Sequence, residues 1–290
     1  MSKNYLIAFA SPDLSRSAKR FYEQANNLGY FDGIKVFSLN DLKSNQRKKL
    51  IHLIKVKKKI RGYGYWFWKP MIIKNFLEKI NKNDTVAYVD VGCHLNKNGI
   101  DVLKNYYKKL KNSKKGLIAF QYKPLSNYKP SIYDYPIPTD LCYSKADLLN
   151  YLGVLHNKSI VNSQQYWSGF FILRKNKFTI KFINQWLNIF EKRYELIDDS
   201  PSKINNHSSF VQNQHDQSVF SILCKIYKIK SLSAYECEWF YFKGKRFWEH
   251  TKNKPIIAKR DKKYNFLRRF INRQNRTFRR YRLKTLKFFF

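Results

Sequence analysis

Short apolar runs alternate with longer amphipathic segments along most of the chain, and this alternation is the strongest constraint on its fold. YLIAFA (5–10) has the composition of a buried strand, and Ala18, Phe21 and Ala25 of the next segment share one helical face. Such alternation predicts an α/β fold with a largely parallel central sheet. The further strand-like runs are 34–39, 85–92, 116–122 and 167–175, and the helical segments are 15–28, 41–59, 71–80, 100–111, 144–153, 178–196 and 216–227.

The length of the chain allows one large domain or two small ones. In its 290 residues we find no internal repeat, and no linker before about residue 255. The simplest division is one domain of catalytic size at 1–258, followed by a basic tail at 259–290.

The chain is strongly basic, with 57 Lys and Arg against 20 Asp and Glu and a formal net charge of +37. Charge of this size is compatible with nucleic acid, anionic lipid or an anionic substrate as partner. Aromatic residues make up 17% of the chain. Wholesale disorder is excluded, because disordered basic proteins are poor in aromatic residues.

The tail at 259–290 is the most charged part, with 13 Lys and Arg and a single acid. On a helix its apolar side chains fall within one arc about 100° wide, opposite nearly all of the basic ones. This pattern suits the surface of an anionic bilayer; packing of the stripe on the domain and binding of RNA are the alternatives. The apolar members are Leu267, Phe270, Ile271, Phe278, Tyr281, Phe288 and Phe289, and Arg282 lies near the border.

The cysteines and the apolar runs indicate a cytoplasmic protein. Cys93, Cys142, Cys224 and Cys237 contain no C-x-x-C pair, so we expect reduced, buried thiols. The apolar run at 5–10 is too short for a signal peptide. No apolar run reaches the roughly 18 residues of a membrane-spanning helix. We therefore expect attachment to a membrane, if present, to be peripheral.

Asp90 is the clearest candidate for a ligand contact. In α/β folds ligands sit at the carboxyl ends of strands, and the run TVAYV delivers Asp90 onto the small turn Val91-Gly92. Such a carboxylate can hold a divalent cation or a ribose hydroxyl. It can equally cap the following loop, and the strand pattern alone leaves both interpretations open.

The stretch RGYGYWFWKP (61–70) interleaves aromatic side chains with glycines. Glycine permits close approach of the backbone to a ligand, and Arg61 and Lys69 bracket the stretch with charges suited to phosphate. The rings could stack on a base or a sugar, or form an aromatic corner of the core. The pattern is not a Walker loop, because G-x-x-x-x-G-K-[ST] is absent.

NQHDQSVFSIL (213–223) places a group of polar side chains at the start of an apolar helix. Groups that bind by hydrogen bonding or coordination in this position indicate a polar site; an Asp cap beside a solvated His is the alternative. Neither G-x-S-x-G nor H-E-x-x-H occurs, so hydrolase and zincin mechanisms lack support. The polar residues are Asn213, Gln214, His215, Asp216 and Gln217.

Taken together, these segments resemble a bacterial glycosyltransferase family of the GT-A type that is associated with capsule and lipopolysaccharide synthesis. The resemblance covers roughly residues 5–250. It implies a GT-A-like (Rossmann-like) single domain and hexosyl transfer from a nucleotide-sugar donor, with a UDP-sugar favoured. The carrying segments are FDGIKVFSLNDL (31–42), RGYGYWFWKP (61–70), DTVAYVDVGCHLN (84–96), YSKADLLNYLG (143–153), QYWSGFFILRKN (165–176) and NQHDQSVFSIL (213–223).

The resemblance places Asp90 at the D-x-D site of GT-A enzymes, where metal and ribose bind. Here the triplet is Asp90-Val91-Gly92, so the second acid is missing. Either Asp90 holds Mn²⁺ or Mg²⁺ together with His94 or His215, or the enzyme is metal-independent. In the second case basic side chains must neutralise the departing diphosphate. The candidates are Arg61, Lys69, Lys243, Lys245, Arg246, Lys259 and Arg260, with His250 by weaker analogy.

The remaining roles also follow from the resemblance. Asp216 and Gln217 would lie near the reacting carbon. Asp216 is the first candidate for the general base of an inverting enzyme, or would orient the sugar in a retaining one. The donor would contact Ser11, Arg61, Tyr63, Gly64, Tyr65, Trp66, Lys69, Asp90 and Gly92, and the sugar or acceptor would contact Gln165, Tyr166, Ser168 and Gly169.

The implied acceptor is a lipid-linked surface glycan, which places the enzyme on the inner face of the bacterial inner membrane. Two other classes stay open. A basic nucleic-acid-binding protein is permitted by the net charge, but it would not explain the strand-end motifs, so nucleic acid is the less favoured partner. The second class is a non-catalytic membrane-surface adaptor with a degenerate transferase domain. The incomplete D-x-D motif supports this alternative.

Overall fold

We describe the chain from a computed structural model at residues 2–56, 61–127, 138–242 and 245–259. The predicted membrane tail beyond Lys259 lies outside these residues, as do the phosphate candidates Lys243 and Arg260. The domain division at residue 258 and the amphipathic helix of the tail therefore stay predictions.

The strands of the described residues form one large sheet and two small ones. In chain order they are β1 (Asn4–Phe9), β2 (Gly33–Phe37), β3 (Thr85–Val89), β4 (His94–Leu95), β5 (Leu117–Gln121), β6 (Tyr166–Arg174), β7 (Ser231–Ser233), β8 (Phe240–Phe242), β9 (Lys245–Phe247) and β10 (Ile256–Ile257). The large sheet has the order β2-β1-β3-β6-β5-β7. Only β6 runs antiparallel to its neighbours, so the other five strands end at one common edge.

Helices cover both faces of this sheet. In chain order they are α1 (Ser15–Leu28), α2 (Ser44–Val56), α3 (Gly62–Tyr65), α4 (Trp68–Lys79), α5 (Ile100–Lys111), α6 (Asp140–Tyr143), α7 (Ala146–Tyr151), α8 (Lys158–Val161), α9 (Lys177–Lys192) and α10 (Asp216–Ile226). The segment α3 is a single turn of left-handed backbone rather than a regular helix.

The core lies on both sides of the sheet, and β3 shows why its sequence is continuously apolar. Val86 and Tyr88 pack on the side of α4, α9 and α10, whereas Ala87 and Val89 pack on the side of α1 and α5. Successive strand residues point to opposite faces, so a strand covered on both faces has no solvent side to make polar.

The predicted α/β architecture with a mostly parallel sheet is confirmed, and each of the five predicted strands forms. The antiparallel direction of β6 differs from a simple βαβ repeat. Strand direction depends on how the chain returns to the sheet, which local periodicity does not encode. The described residues contain no helix that is both long and apolar enough to span a membrane.

The end of the described chain returns to the loop that follows β3. Ile257 of β10 pairs with His94 of β4, and Asn96 donates its side-chain amide to the carbonyl oxygens of Lys252 and Lys254 at 2.6 and 3.1 Å. At Gly99 a Cβ atom would lie 2.2 Å from a backbone nitrogen of this segment. The final basic residues are thereby held beside the loop that begins at Asp90.

Candidate active site

Four side chains from separate segments meet at the carboxyl edge of the sheet. Lys69, in the first turn of α4, points its Nζ at Asp216 Oδ2 at 2.6 Å and at Asp90 Oδ1 at 3.3 Å. Ser168 Oγ donates to the same Asp216 oxygen at 2.8 Å, and Lys69 Nζ donates to the carbonyl oxygen and Oγ of Ser168 at 3.2 Å each. Asp90 follows β3, Ser168 lies in β6 and Asp216 begins α10.

Lys69 is a buried ammonium between two carboxylates. Its side chain is 1% exposed, against 5% for Asp216 and 26% for Asp90. Burial lowers the pKa of Lys69, but the attraction of Asp216 and Asp90 outweighs it, so the net pKa is raised and the ammonium stays protonated. Burial also raises the pKa of Asp216, and the pairing with Lys69 opposes this. Two donors on one oxygen are typical of an ionised carboxylate.

Asp90 is the member of this cluster that a ligand can reach. Tyr88 donates its hydroxyl to Asp90 Oδ1 at 2.6 Å, because residues two apart on a strand share a face. The backbone N–H of Asp90 donates to the carbonyl oxygen of Gly169 at 2.8 Å. The carboxylate is therefore fixed by Tyr88 and Lys69 while part of it stays open to solvent.

The turn after Asp90 is held by α1. Arg20 donates from Nη1 to the Cys93 carbonyl oxygen at 2.8 Å and from Nη2 to the Val91 carbonyl oxygen at 2.9 Å. Gln24, one helical turn later, accepts from the Leu95 N–H at 3.0 Å. These two side chains position the D-V-G-C turn, although no motif in the sequence marked them.

Residues 62–66 form a left-handed turn, with φ of +57, +54, +95, +52 and +59°. Left-handed backbone costs about 1–2 kcal/mol per non-glycine residue, and Tyr63, Tyr65 and Trp66 all adopt it. Such strain persists where the surroundings over-determine it, often at functional sites. The two glycines serve this turn: a Cβ would lie 2.2 Å from the Trp66 ring at Gly62 and 2.4 Å from a Leu50 methyl group at Gly64.

Substitution of Gly62 by alanine should destabilise the protein through backbone strain and through steric overlap. The new methyl group would require left-handed backbone at an L-residue and would overlap the Trp66 ring. We expect the free energy of unfolding to fall by about 3 kcal/mol, measured by urea denaturation. Gly153→Ala is the matched control, since Gly153 has φ of +68° but no atom near its Cβ position; it should lose only about 1 kcal/mol. Equal losses would contradict the close packing of Trp66 on Gly62.

His215 packs against this turn rather than facing solvent. Its ring stacks on Tyr65 and Trp66 at centroid distances of 4.5 and 5.7 Å. Nδ1 lies 2.6 Å from the carbonyl oxygen of Ile197. A neutral His215 ring donates this hydrogen bond when its proton is on Nδ1. Nε2 lies 3.7 Å from Asp199 Oδ1 and has no hydrogen-bond partner among the described residues. Burial lowers the pKa of His215 to about 4.

The lowered pKa of His215 predicts a loss of stability in acid. Between about pH 6.5 and 4 the unfolded histidine binds a proton that the folded one excludes, so this contribution is complete above about pH 6.5 and falls as pH drops towards 4. From pH 7 to 4 the wild type should lose about 3 kcal/mol more than His215→Phe, which keeps a stacked ring but does not titrate. Urea unfolding at several pH values measures the difference. Parallel pH profiles for the two proteins would refute this assignment.

Arg61 joins the left-handed turn to the loop before α10. Its guanidinium binds Asp199 through Nη2–Oδ1 at 2.5 Å and Nε–Oδ2 at 3.2 Å, and it donates to Gln212 Oε1 at 3.2 Å. Burial raises the pKa of Asp199, but hydrogen bonds from Arg61 and the charge of neighbouring groups outweigh it and lower the net value. A phosphate ligand would have to compete with Asp199 for this guanidinium.

Gln165 and Tyr166 lie in the interior beside the cluster. Gln165 is fully buried; its Nε2 donates to Asp140 Oδ1 at 2.8 Å and its Oε1 accepts from Gln217 Nε2 at 3.0 Å. Tyr166 donates its hydroxyl to the Ile229 carbonyl oxygen at 2.6 Å. Gln217 is the partly exposed member, so a ligand would meet it before Gln165.

The other predicted contact residues make contacts within their own parts of the fold. Ser11 follows β1 and donates to Asp13 Oδ1 at 2.5 Å, and Gly92 is part of the turn that Arg20 holds. Arg246 stacks over the Trp239 ring at 4.3 Å. His250 directs Nε2 at the backbone carbonyl oxygens of Tyr235 and Glu238, so this nitrogen serves the fold.

The donor set does not fit a metal held by protein ligands alone. The described residues contain no group of three His, Cys, Asp or Glu side chains placed to bind a metal. Asp90 already has the Lys69 ammonium 3.3 Å from its Oδ1. Of the two histidines predicted as further metal ligands, His215 has Nδ1 2.6 Å from the Ile197 carbonyl oxygen and Nε2 3.7 Å from Asp199 Oδ1, and His94 has Nδ1 3.4 Å from Gln24 Nε2. The positive charge between Asp90 and Asp216 is that of Lys69.

Besides Arg20 and Gln24, three more side chains that the sequence did not single out take part in these networks. Tyr88 was detectable, because it lies two residues before Asp90 on the same strand. Asp199 had no local signal in a polar loop. Asp140 begins α6 and is fully buried; its Oδ2 forms an ion pair with Lys225 Nζ at 2.5 Å and accepts from Ser221 Oγ at 2.8 Å.

Comparison with known proteins gave structural similarity only. No protein-family model matches the chain, and no curated protein matches it by sequence. Among solved structures, a glycosyltransferase involved in glycosylation of the major capsid of PBCV-1 is 9% identical over 98% of this chain and 99% of its own, with a TM-score of 0.45. Mouse xyloside xylosyltransferase 1 is 8% identical over 81% and 87%, with a TM-score of 0.41.

A third solved structure is the galactosyltransferase LgtC in complex with donor and acceptor sugar analogues. It is 10% identical over 81% of this chain and 75% of its own, with a TM-score of 0.38. The structural neighbours named here are thus glycosyltransferases, at identities too low to assign the chain to a family.

Proposed function

We propose that this protein is a glycosyltransferase that moves a sugar from a nucleotide-sugar donor to a surface-glycan acceptor. The observation that carries the proposal is the convergence of Lys69, Asp90, Ser168 and Asp216 at the carboxyl edge of an α/β sheet. Ligands of open α/β sheets bind at this edge. The four residues come from four of the six segments that carry the resemblance to GT-A enzymes.

The two carboxylates have different roles in this proposal. Asp90 is partly open and fixed by Tyr88, so it accepts hydrogen bonds from ribose or sugar hydroxyls. Asp216 has one oxygen occupied by Lys69 and Ser168, so it holds Lys69 in place beneath Asp90. This arrangement favours a role for Asp216 in positioning the donor rather than in removing the acceptor proton.

In this proposal, basic side chains at the same edge neutralise charge on the departing diphosphate. Of the described candidates we favour Arg61 and Lys259: Arg61 lies at the left-handed turn, and Lys259 follows the strand that pairs with His94. A UDP-sugar is the favoured donor. The proposed acceptor is lipid-linked, and the tail at 259–290 would hold the enzyme on the inner face of a bacterial inner membrane.

Binding of the donor should raise the thermal stability of the protein. A ligand at 100 times its Kd stabilises the native state by about 2.7 kcal/mol, which for a domain of this size corresponds to about 5 °C in Tm. We would screen UDP-, GDP-, CMP- and dTDP-sugars with and without Mn²⁺. Free sugars are the control. Failure of every nucleotide sugar to shift Tm would contradict the proposal.

Release of nucleotide separates an enzyme from a non-catalytic adaptor. A transferase hydrolyses some of its donor slowly without acceptor, whereas an adaptor with the same fold shifts in Tm and releases nothing. The assay uses the donor that gave the largest Tm shift and follows free nucleotide with time.

A further inference from the structure

The edge of the sheet opposite the candidate site is almost purely basic. It is formed by the chain at the amino-terminal ends of the parallel strands and the carboxyl end of β6. We name it the basic edge. It consists of residues 2–3, 29–33, 79–84, 108–116, 174–177 and 227–231, which contain thirteen Lys and Arg and two Asp.

Most of these charges are exposed and uncompensated. Ten of the lysines are exposed, and none of the ten forms an ion pair with an acid within the part of the chain described. Of the two acids, Asp84 is buried and accepts from the Lys3 N–H at 2.9 Å. The exposed lysines are Lys3, Lys79, Lys82, Lys108, Lys109, Lys111, Lys114, Lys177, Lys228 and Lys230.

The carboxylates of the candidate site do not cancel this field. The five residues of β3 separate the two edges, and at about 3.3 Å per residue they span about 16 Å. Screening at physiological ionic strength acts over about 8 Å. The basic edge therefore acts as an independent electrostatic surface with a net excess of eleven positive charges.

The composition of the edge points to a diffuse anionic partner. Twelve of its thirteen bases are lysines, which are point charges without the paired geometry that arginine offers to an individual phosphate. Aromatic rings near the edge are packed on other rings, as Tyr30 is on Tyr107 at 4.9 Å and Tyr227 on Phe178 at 5.3 Å. They form no free platform for stacking nucleic-acid bases.

We propose that the basic edge docks the domain onto a bilayer rich in anionic lipids. Its charges come from six segments spread along the edge of a six-stranded sheet, which matches the extended charge of a membrane surface. Docking in this way turns the candidate site away from the bilayer, so the glycan of a lipid-linked acceptor would have to extend past the domain to reach Asp90. The proposal does not depend on the proposed enzymatic activity.

The test compares two full-length variants with the same number of charges removed. The edge variant carries Lys82→Gln, Lys108→Gln, Lys111→Gln, Lys114→Gln and Lys177→Gln. The control variant carries Lys19→Gln, Lys48→Gln, Lys55→Gln, Lys158→Gln and Lys203→Gln, all at exposed positions outside the edge. Partitioning onto vesicles of equal parts phosphatidylcholine and phosphatidylglycerol is measured by sedimentation at a salt concentration where wild type is half bound.

Each lysine close to an anionic surface strengthens partitioning about fivefold, so the edge variant should bind more than about tenfold more weakly than wild type and the control less than about threefold. Circular dichroism and thermal melting verify that both variants are folded. If the edge variant fails to fold, Lys82→Gln/Lys114→Gln/Lys177→Gln replaces it, with Lys48→Gln/Lys55→Gln/Lys203→Gln as its control. Equal weakening by edge and control variants would overturn the proposal. So would an edge variant that loses affinity for an RNA or DNA duplex while its vesicle binding is unchanged.

Discussion

Lys69→Met should lower the free energy of unfolding by about 4 kcal/mol, because it leaves Asp216 as a buried carboxylate without a counter-ion. Lys69 contacts Asp216 at 2.6 Å and is itself 1% exposed. Methionine fills similar space but supplies no charge. Burial already raises the pKa of Asp216, and loss of the ammonium raises it further. The loss should therefore be larger at neutral pH than in acid, since a raised carboxyl pKa makes stability fall as pH rises.

Two further variants make this expectation specific. Lys74→Met lies on the same helix, where Lys74 forms a surface pair with Glu78, and such pairs contribute at most about 1 kcal/mol. Adding Asp216→Asn to Lys69→Met should restore part of the lost stability, because the buried negative charge is then removed as well. Urea unfolding measures all four proteins. A loss from Lys69→Met no larger than that from Lys74→Met would show that the buried pair does not matter.

Asp90→Asn should reduce donor turnover by a factor of about 100 or more, which is the usual effect of removing one electrostatic contact to the reacting ligand. Asparagine has the same shape and can still accept the Tyr88 hydroxyl. Because the Asp90 side chain is 26% exposed, we expect stability to change by no more than about 1 kcal/mol. Activity and stability would thus separate in this variant, whereas they fall together in Lys69→Met.

The readout for Asp90→Asn is donor-dependent nucleotide release, together with the Tm shift that the donor produces. Asp101→Asn is the control, since Asp101 is 87% exposed on α5 and is expected to have no role in turnover. Turnover close to that of wild type would remove Asp90 from the site. A loss of turnover with the donor-induced shift retained would assign Asp90 to the reacting sugar rather than to the nucleotide.

The candidate site was only partly accessible to sequence analysis. Asp90 stood out because a strand and its end are local features. The environment of Lys69 differs from the prediction. The sequence predicts that Lys69 contacts phosphate, whereas its side chain is buried against Asp216 and Asp90. That pairing joins residues 147 positions apart, and no pattern confined to a short window contains it.

Gly62 and Gly64 show a second kind of difference. The sequence indicated close backbone approach at these glycines, and close contacts exist, but with Trp66 and Leu50 of the protein itself. A glycine in the sequence indicates that a position needs either space for a close neighbour or a positive φ. It does not report which neighbour takes the space, since that depends on packing from distant parts of the chain.

By itself the sequence determined the α/β class, the positions of five of the six strands of the large sheet, and which polar residues end them, because burial on a sheet and helix start signals act over a few residues. The three-residue strand β7 was missed. Tertiary structure decided the direction of β6 and the pairing of Lys69 with two carboxylates. It also decided the hydrogen bonds of Arg20 to the turn after Asp90, and the position of thirteen Lys and Arg residues at one edge of the sheet. These depend on contacts between segments far apart in the chain, whose partners are chosen by the packing of the whole domain rather than by local periodicity.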